Sequence, residues 1–203
     1  MANAWLLRAN IEETIIPLFK KYNIVAIGWG DVGDLSGKTK EDIKNITSET
    51  YNLTGVKLGN SYASINMFVN DMQEGDIVVI PDGEEVYLVE ITGGYVFNDT
   101  PEFSIAPHTR TIEWKATVKR DELPDELRRA LRVMRTTASL SKHYDGFLKV
   151  INGSHEASKS KVIEVAYPLR PDFIVKFAIP NNMTANEANR LSKYISTLYF
   201  DEV

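Results

Sequence analysis

The chain has 203 residues, 43% of them apolar and 25% charged, and a net charge of −5. That composition supports a full hydrophobic core, and no apolar run approaches the roughly 18 residues of a membrane span. Cysteine is absent, which excludes disulfides, thiolate metal sites and a cysteine nucleophile. Asn3, Arg8, Asn10, Glu12 and Glu13 interrupt the N-terminus too early for a signal peptide, so a cytoplasmic location is expected.

Ala4 to Ala9 reads as a first strand. Asn10 offers an N-cap oxygen to a helix with Glu12 and Glu13 in its first turn, where they suit the dipole, and Pro17 should bend or shorten that helix. Asn23 to Ile27 returns as a strand and runs into Gly28-Trp-Gly-Asp-Val-Gly33, whose glycines permit conformations closed to other residues. Helical spacing follows over Thr39 to Tyr51. Asn60 to Met72 is a second helix, with Tyr62, Ile65, Met67, Phe68 and Met72 mostly on one side. Ile77 to Ile80 and Val86 to Thr92 are strands joined by Pro81-Asp82-Gly83, a turn sequence. Gly93-Gly94 reads as a second break, with Tyr95 and Phe97 just beyond it. His108 to Trp114 alternates as another strand. Pro124 suits the first turn of a helix with Leu127, Leu131 and Met134 as its buried stripe. Arg128, Arg132 and Arg135 then share one side by i, i+4, i+7 spacing. Asn152 to Ser160 reads as a linker. Two β-like runs, Lys161 to Tyr167 and Asp172 to Ile179, precede a helix opened by the capping-box pattern Thr184-Ala-Asn-Glu187.

The acidic balance argues against indiscriminate nucleic-acid binding, yet basic residues gather in the middle third, from Arg110 to Lys149, and leave room for a local basic face. The loop string Gly28 to Gly33 fits a dinucleotide fingerprint, but it lacks a helix opening on its third glycine and an acid ending the next strand. Gly37-Lys38-Thr39 resembles the end of a P-loop, but Val32 stands where its first glycine belongs. Asp82, Glu113 and Lys115 imitate the acids and lysine of a metal-dependent nuclease, which would have to converge on one ion. His108, His143 and His155 have no metal-ligand spacing. No cofactor, metal or catalytic residue is expected.

Several segments resemble a known series in consistent order. They are Ala4-Trp-Leu-Leu-Arg8, Val25-Ala-Ile-Gly-Trp29 through Leu35, Phe68 to Met72 with Glu74-Gly-Asp-Ile-Val-Val-Ile-Pro81, Tyr87 to Tyr95, His108-Thr-Arg110 with Trp114, and Arg120-Asp-Glu-Leu-Pro124. Over residues 4 to 150 they resemble the N-terminal module of Mrr-type, modification-dependent restriction proteins, which is similar to the EVE, YTH and PUA readers. The resemblance implies an α+β fold, with a PUA/EVE-like β-barrel and surrounding helices over residues 1–150. Residues 161–203 would then form a small β-β-α docking or oligomerisation element. It further implies a non-enzymatic reader of DNA, of a methylated or flipped base, in a restriction or phage-defence system.

An extruded base recovers its unstacking cost through ring stacking and edge hydrogen bonds. Trp29, Tyr62, Tyr95 and Trp114 are the candidate walls, and Asp31, Asn60, Ser61 and Asn66 the candidate edge contacts. Arg110, Arg120, Arg128, Arg132 and Arg135 are the candidate phosphate contacts. A sensor of a small nucleotide-like signal and an RNA reader are the alternatives. In the restriction proteins that the chain resembles, the module usually precedes a nuclease domain with its own acid and lysine motif, whereas only about fifty residues follow here. Phe173, Val175, Phe177 and the stripe Leu191, Ile195, Leu198 would have to bury against the reader, a second copy or another protein, because so small a unit rarely stabilises itself.

Overall fold

A computed structural model describes residues 2–9, 15–158, 162–180 and 183–198. The chain divides into two compact units, Met1–Ser154 and His155–Val203.

The first unit is built on a six-stranded sheet, curled as a half-barrel, with helices around it. Its strands are β1 (Ala4–Leu7), β2 (Ile24–Ile27), β3 (Ile77–Asp82), β4 (Glu85–Phe97), β5 (His108–Lys119) and β6 (Thr137–Ser139), in the spatial order β2-β5-β4-β3-β1-β6. β1 runs parallel to β3, pairing Leu6 with Val79, and the other neighbours are antiparallel. Successive side chains of a strand point to opposite faces. Leu6, Val79 and Leu88 therefore enter one core cluster, while Leu7, Val78 and Val89 enter another. Both faces are covered, which explains the unbroken apolar runs in β1 and β3.

On one face lie α1 (Ile15–Tyr22), α2 (Lys40–Tyr51) and α3 (Gly55–Asn66), contributing Phe19, Ile43 and Ile65. Asn23, with φ 51°, ends α1 and turns the chain into β2. Thr39 caps α2 through the reciprocal capping box with Asp42. Asn10, Glu12 and Glu13 lie outside the described residues. The predicted helix Asn60–Met72 begins earlier, at Gly55, and widens into a π-helical turn over Met67–Asp71. Its expected stripe holds: Ile65, Phe68 and Met72 are fully buried, with Tyr62 and Met67 packed against them. The opposite face is covered by α4 (Asp125–Ala130) and α5 (Tyr144–Ser158), through Leu127, Phe147 and Ile151.

Three expectations fail here. Gly93-Gly94 does not break β4, which continues to Phe97 across a shift in register between Ile91 and Tyr95. α4 stops at Ala130, so Met134 is exposed and Arg132 and Arg135 do not extend a helical row. Residues 152–158 belong to α5 and are not a linker.

The second unit pairs β7 (Val162–Arg170) with β8 (Phe173–Pro180) as a hairpin, followed by α6 (Ala185–Ile195). Thr184 and Glu187 form the capping box read from the sequence.

Candidate functional site

The glycine loop after β2 is fixed by a chain of hydrogen bonds from the end of the β4–β5 hairpin. Trp29 stands in the left-handed region at φ 64°, costly for a bulky side chain, and begins a 3₁₀ turn over Gly30–Val32. Its carbonyl, which can only accept, lies 3.2 Å from His108 Nε2. The Nε2 proton is therefore donated there, and Nδ1 accepts from the Tyr95 hydroxyl at 2.7 Å. That hydroxyl in turn accepts from the Leu35 amide at 3.2 Å. His108 is fully buried, and burial lowers its pKa, which keeps it neutral in this role. Burial likewise pushes the Tyr95 hydroxyl up to about 12.

The rings continue outward. Tyr95 stacks on His108 at 5.8 Å between centroids, and Phe97 lies on the imidazole at 5.2 Å, tilted by 53°. Phe97 then lines an open recess of about 460 Å³, bounded by Gly30 and Asp31 on the loop and by Asn98, Asp99 and Pro107 on the β4–β5 connection. A Cβ on Gly30 would fall 3.2 Å from Pro107 Cγ, so glycine lets the loop sit close to this wall.

Of the eight residues nominated for the base pocket, this recess takes only Asp31. Trp29 and Tyr62 are half-buried against the core, and Trp114 donates to Asn23 Oδ1 at 3.1 Å with its ring edge-on to Tyr87. Asn66 is buried and bonds Asp71 and Asn70, while Asn60 and Ser61 stay on α3 away from the lining. Phe97 was missed, although it shares a strand face with Tyr95 by i, i+2 spacing.

The five arginines do not make one face. Arg110 is buried and donates to the carbonyls of Phe68 at 2.7 Å, Val69 at 2.8 Å and Gly93 at 3.3 Å. A cation thus satisfies the free carbonyls at the end of the π-helical turn, where the helix dipole is negative. Arg110 is a structural tie and unavailable to phosphate. Arg132 and Arg135 are exposed beyond α4, whereas Arg120 and Arg128 line one hollow. That hollow adjoins the β3–β4 turn, at the opposite end of β4 from Phe97, up to about 40 Å away for 13 extended residues.

The nuclease-like triad does not converge. Glu113 pairs across strands with Glu90, and Lys115 bridges both carboxylates at 2.7 and 3.2 Å. Asp82 pairs with Glu85 at the turn of a different hairpin, β3–β4. Among the described residues no group of three acids or histidines could hold a metal ion.

These features define an α+β half-barrel protein with a loop-bounded recess at one end of its longest hairpin. Residues 6–141 match the family described as a domain of unknown function, DUF8426, and the chain belongs to that family. No curated protein matches the chain. Among the described residues no helix is long and apolar enough to cross a membrane.

Proposed function

We propose that the first unit is a non-enzymatic recognition module for a single nucleobase, serving a cytoplasmic DNA reader of the restriction or phage-defence kind. The observation that carries this reading is the recess faced by Phe97. Its volume lies within the range of small-ligand sites, about 300–1,000 Å³, and one wall is a ring backed by His108 and Tyr95. A base entering it would stack on Phe97, with the Asp31 and Asp99 carboxylates accepting from its amino groups. The sequence resemblance to modification-dependent readers supports a methylated or flipped base in DNA, and a PUA/EVE-type relationship fits the half-barrel.

A second reading, a sensor of a free base-like ligand, is favoured by the charge of the walls. Asp31 and Asp99 line the recess, and among the described residues no lysine or arginine does. Nearby phosphates would meet repulsion there.

Fluorescence anisotropy with duplexes carrying modified or unmodified bases, matched RNA and free nucleosides tests both. Phe97→Ala is expected to weaken binding roughly tenfold or more, since a stacked base contributes about 1–3 kcal/mol. Steep weakening with salt identifies a polynucleotide, and salt-insensitive nucleoside binding identifies the sensor. Wild-type affinity retained by Phe97→Ala would rule out the recess for either ligand.

A further inference from the structure

At the other end of the half-barrel, β5 leaves the sheet into a 3₁₀ turn over Arg120–Glu122, held when the Arg120 amide donates to Glu84 O at 2.7 Å. The turn borders a separate hollow of about 340 Å³ that contains Lys119, Arg120 and Arg128. The Arg120 Nε is buried without a hydrogen-bond partner, the one such side-chain atom among the described residues. An N–H so placed costs free energy unless something accepts from it. Among the described residues neither Lys119 nor Arg120 takes part in an ion pair.

Arg8, outside the lining, is close enough to Arg120 to interact with it electrostatically. It donates to the carbonyls of Leu131 at 2.6 Å and Val133 at 2.7 Å, which fixes its position. Burial and then the Arg120 charge hold its guanidinium below the usual value, so the two cations feel each other. Opposing them, Glu84 and Asp121 also line the hollow, and Asp125 is paired with Arg128. In the lining itself Lys119, Arg120 and Arg128 face the two carboxylates of Glu84 and Asp121, Glu122 accepts from the Lys119 amide beside it, and the Arg120 Nε is left without an acceptor.

We infer that this hollow is a seat for a phosphoryl group, with Arg120 as its principal donor and Lys119 and Arg128 as flanking cations. A guanidinium fork matches the paired oxygens of phosphate, and an anion relieves the repulsion between Arg8 and Arg120. The seat stands whatever occupies the recess at Phe97. The phosphoryl group belongs either to a polynucleotide backbone or to a free phosphorylated molecule.

Titration calorimetry of the full chain with pyrophosphate, beside anisotropy with a short DNA duplex, tests the inference. Arg120→Gln is expected to weaken pyrophosphate binding by about tenfold or more, the worth of a hydrogen bond to a charged group. Arg132→Gln, exposed and outside the hollow, is expected to leave it unchanged. Arg128→Gln gives the same reading with a smaller loss, should Arg120→Gln fail to fold. A parallel loss of duplex binding assigns the group to a polynucleotide, and loss confined to pyrophosphate assigns it to a free ligand. No pyrophosphate binding by the wild-type chain, or equal binding by Arg120→Gln and wild type, overturns the seat.

Discussion

His108 shows how one buried side chain fixes a loop and sets a pH limit. Its Nε2–H donates to the Trp29 carbonyl, and its Nδ1 accepts from the Tyr95 hydroxyl, the second contact requiring the neutral ring. In the unfolded chain the ring titrates near the ordinary value of 6.5, whereas burial depresses the folded value. Below pH 6.5 the unfolded state therefore binds the proton that the folded state refuses. Stability falls as pH drops through the window between the two values, by at most about 1.4 kcal/mol per pH unit for this proton. Urea midpoints at pH 7.5 and 5.5 are expected to differ for the wild type and to move closer together in His108→Gln. An undiminished acid dependence in the variant would assign the effect to other groups. The inward setting of His108 and Arg110 was legible in part, because both share the alternating face of β5 with Ile112. As one of a cluster of basic residues Arg110 suits a phosphate-binding face, and its structural role has little local signal, because arginine is seldom buried and two of its three carbonyl partners lie some forty positions earlier in the chain.

The elements legible in the sequence are those whose signals are local. A capping box opened α6 where Thr184 stands, helical spacing placed α2, and apolar runs located β1 and β3. The failures have tertiary causes. The end of α4 is held by Arg8, whose side chain bonds carbonyls more than a hundred positions away. α5 was missed because Gly146, Gly153 and Ser154 look like loop residues, although Phe147 and Ile151 bury its inner face. Gly146 has a packing reason: a Cβ there would lie 2.9 Å from Leu127 Cδ2 on α4. Alanine for glycine inside a helix ordinarily stabilises by about 0.5–1 kcal/mol. Here the contact with α4 opposes that gain, and a larger residue overpacks the junction. Gly146→Leu is expected to destabilise the first unit by about 1–3 kcal/mol in chemical denaturation. Wild-type stability in that variant would mean the helices separate freely.

At the scale of the whole molecule, the two units differ in what holds them. Met1–Ser154 has two apolar clusters, one on each face of its sheet. In His155–Val203, no residue among 163–180 and 183–198 is fully buried. Val175 and Phe177 are only half-covered, and Phe173, Ile174 and Leu198 are more than half exposed. Domains below about 40 residues usually need disulfides, metals or association, and this unit, little larger, has no cysteine to help it. Its hairpin and capped helix have their local signals in order, but burial rather than propensity provides most of the stability of such elements. Produced separately, Met1–Ser154 is expected to melt in one cooperative transition by circular dichroism. His155–Val203 is expected to show no cooperative melt as a monomer and to gain one only when associated, whether with itself or with another protein. A sharp melt of the isolated monomeric second unit would show that its half-covered strands suffice, and would remove the argument that its apolar side chains serve docking.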